Sequence, residues 1–317
     1  MSFLFLTGDY AYKVKKPVNL GYLDYTTLEK RQLFCQREVE LNRRLCPNAY
    51  LAVVPITEDS VGAHVEGRGK AIEYAVKMRQ LPQERMMDVL LPQDKVTKEM
   101  IARVAEKLAG FHQNAKTTPQ IAAFGKLRTI RQNTDENFAQ TEKYIGLSVS
   151  GTTYNHIKGY TDDFIDSNAS LFDKRVKEGR IRDCHGDLHA AHVCFTADIC
   201  IYDCIEFNDR FRYSDVASEI AFLAMDLDRY RRSDLSKDLV DTYVKLAHDE
   251  ELLKLLNFYK SYRAYVRGKV ESFKLDDPLI SEDEKARALE TARKYFQLAE
   301  SYVRSRTAYV APKEAPN

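Results

Sequence analysis

The sequence predicts an α+β chain of two lobes, a small β-rich N-terminal lobe over residues 1–82 and a large, mainly helical C-terminal lobe over residues 83–317. Three observations lead to this prediction. Short apolar runs that suit strands dominate the first part of the chain, and apolar residues at helical spacing dominate the second. Between them, the stretch Arg79-Gln80-Leu81-Pro82 ends in a proline, which is typical of a boundary between lobes.

The N-terminal lobe is predicted to hold four strands and one helix. The first two strands meet at the turn Thr7-Gly8-Asp9, and the charged helix that follows has an apolar stripe including Leu33, Val39 and Leu41. The predicted ranges are 3–6 and 10–14 for the first two strands, 26–44 for the helix, and 51–56 and 72–78 for the last two strands.

The C-terminal lobe is predicted to be helical except for one hairpin. A helix starting at Thr97 carries apolar residues at spacings of three and four as far as His112, and a second long helix ends near Gly179. The predicted hairpin strands are 193–195 and 200–205, helices resume at 215 and continue to about 306, and the proline-containing tail from 311 is expected to be loose.

Composition points away from several classes of function. The 317 residues are 44% hydrophobic and 30% charged, and the net charge of +1 gives no reason to expect a nucleic-acid or membrane-surface partner. No apolar run approaches the roughly 18 to 20 residues that span a bilayer. The N-terminal segment turns polar too early for a signal peptide. We therefore expect a cytoplasmic protein.

Six cysteines occur, and a cytosolic chain of this size does not need disulfides for stability. Four of them cluster between Cys184 and Cys204, without any Cys-x-x-Cys pair. This cluster has two interpretations. The cysteines could bind zinc, or they could be small apolar residues on buried strands, which is a common place for a cysteine thiol.

Two segments carry the chemistry that the sequence predicts. In the first, residues 185–192, three histidines and Asp187 fall within eight residues. In the second, residues 205–209, the sequence is Ile-Glu-Phe-Asn-Asp. Phosphoryl transfer requires a carboxylate that orients the attacking hydroxyl, with ligands nearby for a metal that neutralises phosphate charge. The residue types and the spacing of the two segments fit that requirement.

These segments resemble a known family. His185-Gly-Asp-Leu-His189 is similar to the catalytic loop of aminoglycoside phosphotransferases and choline kinases, which belong to the protein-kinase-like superfamily. Segment 205–209 resembles the family's metal-binding segment, and Asp215-Val-Ala-Ser-Glu-Ile-Ala221 resembles the start of the helix that follows it. The stretches 5–17 and 204–213 look like an uncharacterised bacterial branch, often fused to a P-loop kinase domain. The resemblance implies a bilobal protein-kinase-like fold.

The resemblance also implies roles in the catalytic loop. Asp187 matches the catalytic aspartate, which accepts the proton of the substrate hydroxyl. His185 would brace the loop, and His189 would either do the same or touch substrate. His192 stands where the family usually has the asparagine that binds a second Mg²⁺, and imidazole is a poorer ligand for this ion. His192 is therefore either an altered metal ligand or a buried histidine bonded to a backbone carbonyl.

The metal-binding segment departs from the family pattern as well. Glu206 takes the place of the usual aspartate, so the carboxylate reaches one methylene further. Asp209 and Asp203 are nearby carboxylates that could share the metal. The alternative for Glu206 is an ion pair with Arg210 or Arg212.

In the N-terminal lobe the resemblance implies nucleotide contacts. Lys13 and Lys15 point to the same face of one strand, and one of them would reach the phosphates of ATP. Lys15, directly before Lys16-Pro17, aligns slightly better with the family's lysine. Glu38 matches the helix glutamate that pairs with this lysine. Met78, Gln80 and Leu81 belong to the predicted hinge that would hydrogen-bond adenine. The implied cofactors are ATP and Mg²⁺, with Mn²⁺ as an alternative metal.

Three classes of function stay open at this stage. The first is an ATP-dependent kinase that phosphorylates a hydroxyl of a small molecule. The second is a pseudokinase that binds nucleotide and acts through a partner. The third is a hydrolase in which residues 185–192 bind a transition metal directly. The chain contains no P-loop motif, so a separate P-loop kinase is an expected partner for this branch.

The acceptor substrate is not readable from the sequence. Charges of both signs mix in the C-terminal half, so the acidic surface expected for cationic drugs is not evident. Residues 262–267, Tyr-Arg-Ala-Tyr-Val-Arg, could offer a basic aromatic face to an anionic acceptor. The alternative is that this helix packs its tyrosines into the core and leaves its arginines in solvent.

Overall fold

A computed structural model describes residues 1–304, and it has the predicted α+β fold class. The tail from residue 311 lies outside the described residues. The strands are β1 (Ser2–Leu6), β2 (Tyr10–Lys15), β3 (Tyr50–Asp59), β4 (Gly62–Val65), β5 (Ala71–Arg79), β6 (Ile181–Asp183), β7 (Val193–Cys194), β8 (Cys200–Ile201) and β9 (Tyr213–Asp215).

The α-helices range from single turns to helices of more than twenty residues. They are α1 (Leu28–Asn42), α2 (Met87–Leu90), α3 (Lys98–Asn114), α4 (Pro119–Ala122), α5 (Leu127–Thr141), α6 (Gly151–Ser167), α7 (Ala169–Lys177), α8 (Asp209–Arg212), α9 (Val216–Arg229), α10 (Ser233–Ala247), α11 (Leu252–Phe273) and α12 (Glu282–Arg304).

The described chain divides into two compact units. The first unit comprises Met1–Val96 together with His185–Arg212, and the second comprises Thr97–Cys184 and the described residues from Tyr213 onward. The lobe boundary near residue 82 remains a prediction. Both predicted functional segments belong to the first unit.

The first unit is built on a five-stranded antiparallel sheet with strand order β1-β2-β5-β3-β4. Helix α1 packs on β3 and β5. Strand β4 was not predicted, because its short, polar and glycine-containing sequence does not show the pattern of a buried strand. The turn before it is closed by Asp59, which accepts hydrogen bonds from the amides of Val61 and Gly62.

The hairpin predicted in the second segment of the first unit is present, although its strands β7 and β8 are only two residues long. Apolar side chains of the hairpin join α1 and the sheet in one core. Its members include Cys35, Val39, Tyr50, Val76, Met86, Cys194 and Cys200. The hairpin residues therefore lie against the helix that carries Glu38.

The cysteines confirm one expectation and correct another. All six are buried, as small apolar residues would be. Cys184 also lies in a group with His112 and Glu219 whose ligand atoms are close enough together to hold a metal. Cys46 and Cys200, however, form a disulfide, so the expectation of a chain without disulfides is wrong. These residues are 154 positions apart, and only the packing of the hairpin beside the end of α1 brings them together.

In the second unit, the helix predicted from Thr97 is confirmed as α3. The Thr97 hydroxyl caps it by accepting a hydrogen bond from the Met100 amide. His112, near its end, is buried between the Glu219 carboxylate and the Tyr243 hydroxyl, each at 2.7 Å. This histidine therefore has a hydrogen-bond partner on both ring nitrogens.

Two predictions for the second unit are wrong. The long helix expected to end near Gly179 is broken at Asn168 into α6 and α7, where the asparagine side chain bonds to the Phe164 carbonyl. The hairpin of residues 193–201 is also not the only sheet in this half of the chain. Strands β6 and β9 pair as a short antiparallel ribbon that sequence periodicity does not reveal at three residues per strand.

Buried ion pairs organise the helices of the second unit. Arg175 is fully buried and binds Asp215 through two hydrogen bonds of 2.6 and 2.9 Å, and it also binds Asp249. Asp215 in turn caps α9 by accepting from the Ala217 amide. In the helix of residues 262–267, Tyr265 is buried, as the packing interpretation predicted. That interpretation is wrong for Arg263, which is buried rather than solvated and donates to the Ser218 hydroxyl.

No helix within residues 1–304 is both long enough and apolar enough to cross a membrane.

Candidate active site

The loop that carries Asp187 is held by its neighbours His185 and Gly186. The His185 ring is fully buried, its Nε2 donates to the Tyr202 carbonyl at 2.8 Å, and its Nδ1 accepts from the Asp187 amide at 3.3 Å. Gly186 has φ of +90°, and a Cβ there would lie 2.9 Å from the Phe211 carbonyl oxygen. These contacts fit the bracing role predicted for His185.

The side chain of Asp187 lies among two histidines. Its Oδ2 is 3.6 Å from Nε2 of His189 and 3.7 Å from Nδ1 of His192, and about one third of the side chain is exposed. His192 Nδ1 also lies 2.8 Å from the Asp187 carbonyl oxygen. The contact with a backbone carbonyl fits the interpretation of His192 as a buried, hydrogen-bonded histidine. The nearby carboxylates fit its interpretation as an altered metal ligand.

Lys13 connects the strand β2 to the helix α1 and to the segment after the hairpin. Its ammonium lies 2.8 Å from Glu38 Oε1 and 2.6 Å from Asp203 Oδ1. Glu38 is fully buried, whereas the side chains of Lys13 and Asp203 are 21% and 40% exposed. Of the two lysines, Lys13 is therefore the more exposed, and its partner Asp203 reaches the surface.

Lys15 makes a second and deeper set of ion pairs. Its ammonium binds Glu38 Oε2 at 2.6 Å and also binds Glu206, and its side chain is only 1% exposed. Glu206 accepts a further hydrogen bond of 2.6 Å from the buried Tyr25 hydroxyl. Glu206 is thus in an ion pair, as its alternative interpretation predicted, but its partner is Lys15 rather than Arg210 or Arg212.

Asp203 is the residue that the sequence analysis underrated. It has a positive φ of +62°, which is uncommon for residues other than glycine although less so for aspartate than for most, and such residues cluster at functional sites. Its Oδ1 faces Lys13 and its Oδ2 lies 3.6 Å from Nε2 of His192. The sequence signal was an aspartate two positions after the end of β8 and three positions before Glu206.

The structure does not bring Asp209 into this group. Asp209 begins the short helix α8 and pairs with Arg212 at 2.7 Å and with Arg37 at 3.8 Å. Asp187 and Asp203 both lie beside His192, and Asp203 also binds Lys13. The predicted metal ligands Glu206 and Asp209 have cationic partners instead.

The predicted hinge lies at the end of β5. Met78 pairs with Ala11 of β2, and the Gln80 amide donates to the Asp9 carbonyl at 2.9 Å. This hydrogen bond connects the hinge to the turn between β1 and β2. The adenine contacts of Met78, Gln80 and Leu81 stay a prediction.

Helix α1 is also tied directly to the segment that holds Asp203. Asn42, one turn after Glu38, accepts a 2.8 Å hydrogen bond from the Cys204 amide and donates to the Glu38 carbonyl. The disulfide joins Cys46 to Cys200 three residues before Asp203. Glu38 and Asp203 are therefore held on each side of Lys13 by covalent and hydrogen-bonded contacts.

Electrostatics keep Lys13 and Asp203 charged and His192 neutral. Burial acts to lower the pKa of Lys13, but Asp203 and Glu38 outweigh it and hold that pKa well above its usual range. Desolvation acts to raise the pKa of Asp203, but Lys13 outweighs it and holds the pKa well below its usual range. Burial, reinforced by His189, lowers the pKa of His192. The site therefore combines ionised carboxylates, an ammonium and a neutral imidazole.

Comparison with solved structures shows the fold. An amicoumacin kinase, solved in complex with AMP-PNP, Ca²⁺ and Ami, superposes with a TM-score of 0.53 at 12% identity, covering 93% of this chain and 88% of that one. A glucosamine kinase with glucosamine, ADP and phosphate matches with a TM-score of 0.45 at 13% identity, covering 73% of this chain and 61% of that one. The match to the amicoumacin kinase confirms the protein-kinase-like fold implied by the resemblance.

Comparison with curated proteins finds relatives whose function is not known. Uncharacterised proteins of Mycobacterium tuberculosis and Mycobacterium bovis are 34% identical over 267 residues, which is 84% of this chain. The match covers 52% of each relative, so the chain spans about half the length of the curated proteins it matches. No family model matches the chain.

Proposed function

We propose that this protein is an ATP-dependent phosphotransferase of the aminoglycoside phosphotransferase type, which transfers the γ-phosphate of ATP to a hydroxyl of a small molecule. The observation that carries the proposal is the ion-pair chain Glu38–Lys13–Asp203 next to Asp187. Kinases of this fold need a lysine held by a helix glutamate, a metal-binding aspartate and a catalytic aspartate. Each of the four has a counterpart here.

Lys13 rather than Lys15 is proposed to contact the phosphates. Lys15 is 1% exposed and already has two buried carboxylates as partners, so it has no route to a nucleotide. Lys13 is partly exposed beside Asp203. At this place the ammonium could contact negative phosphate oxygens while the carboxylate binds the positive metal. Lys15 would instead hold the segment around Glu206 in place through its buried ion pair with the Glu206 side chain.

Asp203 is proposed as the main metal ligand in place of Glu206 and Asp209. The donor set suits a divalent cation. Asp203 is partly exposed, His192 faces it, and Asp187 lies beside His192. The metal would neutralise charge on the phosphates, while Asp187 would take the proton of the acceptor hydroxyl. The solved amicoumacin kinase contains AMP-PNP and Ca²⁺, which supports ATP and a divalent cation here.

With Asp203 as the metal ligand, the glutamate that replaces the family's aspartate at position 206 is no longer an argument for a pseudokinase. A hydrolase that binds a transition metal through all the histidines of residues 185–192 is also disfavoured. Both ring nitrogens of His185 have partners, the Tyr202 carbonyl and the Asp187 amide. The separate P-loop kinase partner stays a prediction.

The proposal is tested with ATP consumption across a panel of sugars, amino sugars and metabolites, with Mg²⁺ or Mn²⁺ present. Asp187→Asn should lower turnover by about 10²–10⁴-fold while AMP-PNP binding by calorimetry is retained, since the aspartate acts on the acceptor. The matched control is Asp59→Asn, which alters an exposed carboxylate at the end of β3 in the same unit and should leave turnover unchanged. The proposal would be contradicted if AMP-PNP bound neither in the presence of Mg²⁺ nor in the presence of Mn²⁺.

A further inference from the structure

The ring orientation of His192 determines which nitrogen can act as a ligand. Nδ1 lies 2.8 Å from the Asp187 carbonyl oxygen, and a carbonyl only accepts hydrogen bonds. Nδ1 must therefore carry the proton. In the neutral ring the lone pair is then on Nε2.

That lone pair faces a carboxylate. Nε2 lies 3.6 Å from Oδ2 of Asp203, which is beyond hydrogen-bond distance, while Oδ1 of Asp203 is bonded to Lys13. Two electron-rich atoms that face each other at this distance repel unless a cation lies between them. Two donors bound to one ion, each at about 2.1 Å, are roughly 3.0 to 3.5 Å apart. The observed separation is close to that range.

The hydrogen bond from Nδ1 to a backbone carbonyl is also the arrangement that proteins use to orient a metal-binding histidine. Such a bond fixes the tautomer, aims the other nitrogen and increases its basicity. His192 is only 13% exposed and its ring lies 4.0 Å, centroid to centroid, from the ring of His189. The imidazole is therefore held in one orientation.

We propose that His192 binds the nucleotide-associated metal through Nε2, together with Asp203, and that it shifts the preference of the site from Mg²⁺ toward Mn²⁺ and similar transition metals. This inference rests on the proposed function and specifies its metal. Imidazole nitrogen binds Mn²⁺ and later divalent metals well, whereas Mg²⁺ prefers oxygen donors. An asparagine at this position would supply an amide oxygen instead.

The direct test is pulsed electron paramagnetic resonance of Mn²⁺ bound with AMP-PNP to the wild-type protein. Labelling of histidine with ¹⁵N should replace a ¹⁴N modulation by the ¹⁵N pattern, which assigns the coupling to a histidine. His192→Asn should remove the coupling. His64→Asn is the matched control, because His64 also faces an aspartate, Asp59, in the same unit, and the coupling should persist.

The second readout is the ratio of Mn²⁺ to Mg²⁺ affinity, measured by competition for the Mn²⁺ signal. His192→Asn should lower this ratio about tenfold or more, whereas a merely structural role would weaken both ions alike. Absence of histidine coupling in the wild type, or an unchanged ratio in a folded His192→Asn variant, would overturn the inference. AMP-PNP binding in the same samples separates that result from failure of the proposed function.

Discussion

The two lysines of β2 should respond differently to the same substitution. Lys15→Met leaves Glu206, whose side chain is 6% exposed, with the Tyr25 hydroxyl but without a cation. Removing one partner of a buried ion pair costs about 3–5 kcal/mol. Lys13→Met leaves Glu38 paired with Lys15 and exposes Asp203 to water, so its cost to stability should be about 1 kcal/mol or less.

The effect on function should follow the opposite order. Lys13→Met removes the cation proposed to contact phosphate, and turnover should fall by about 10²–10³-fold. Lys15→Met should retain AMP-PNP affinity wherever the variant is folded. Urea unfolding followed by circular dichroism gives the free energies of unfolding, and calorimetry gives the AMP-PNP affinity.

A double variant isolates the buried charge as the cause. In Lys15→Met with Glu206→Gln, the amide oxygen still accepts the hydrogen bond from Tyr25 and no charge is stranded, so most of the lost stability should return. The assignment of roles would be refuted if Lys13→Met destabilised the protein as much as Lys15→Met. It would equally be refuted if Lys15→Met abolished AMP-PNP binding without loss of stability.

Three further outcomes are expected. Gly186→Ala should cost about 1–3 kcal/mol in urea unfolding, because φ is +90° and the new Cβ would press on the Phe211 carbonyl; an unchanged midpoint would contradict this geometry. Alkylation of the denatured protein followed by mass spectrometry should modify four thiols before reduction and six after it, since Cys46 and Cys200 are bonded; six before reduction would exclude the disulfide. Arg175→Met should cost about 3–5 kcal/mol by stranding two buried aspartates, and a loss below about 1 kcal/mol would show that water reaches them.

The fold was largely predictable because its signals are local. The turn at Thr7-Gly8-Asp9, the cap at Thr97 and the apolar spacing of α3 each lie within a few residues of one another. Short ribbons such as β6 with β9 were missed, since three residues do not establish a period. The break at Asn168 was missed because a single asparagine competes with the helix without interrupting its apolar pattern.

The candidate site was predictable in its residue types but not in its pairings. The sequence indicated Asp187, Glu38 and a lysine on β2, and the structure places all of them in one unit. It could not decide between Lys13 and Lys15, because alternate residues of a strand share a face and differ only in what packs over them. The burial of Lys15 by Glu38 and Glu206 settles which lysine is accessible.

The sequence by itself therefore determined the fold class, the helix α1 with its neighbouring strands and the loop that carries Asp187, because these depend on local pattern and on motif spacing. Only the tertiary structure decided that Asp203 rather than Glu206 faces Lys13 and His192, and that Cys46 meets Cys200. Such contacts join residues far apart in the chain, and their geometry depends on how α1, the sheet and the hairpin pack around one core.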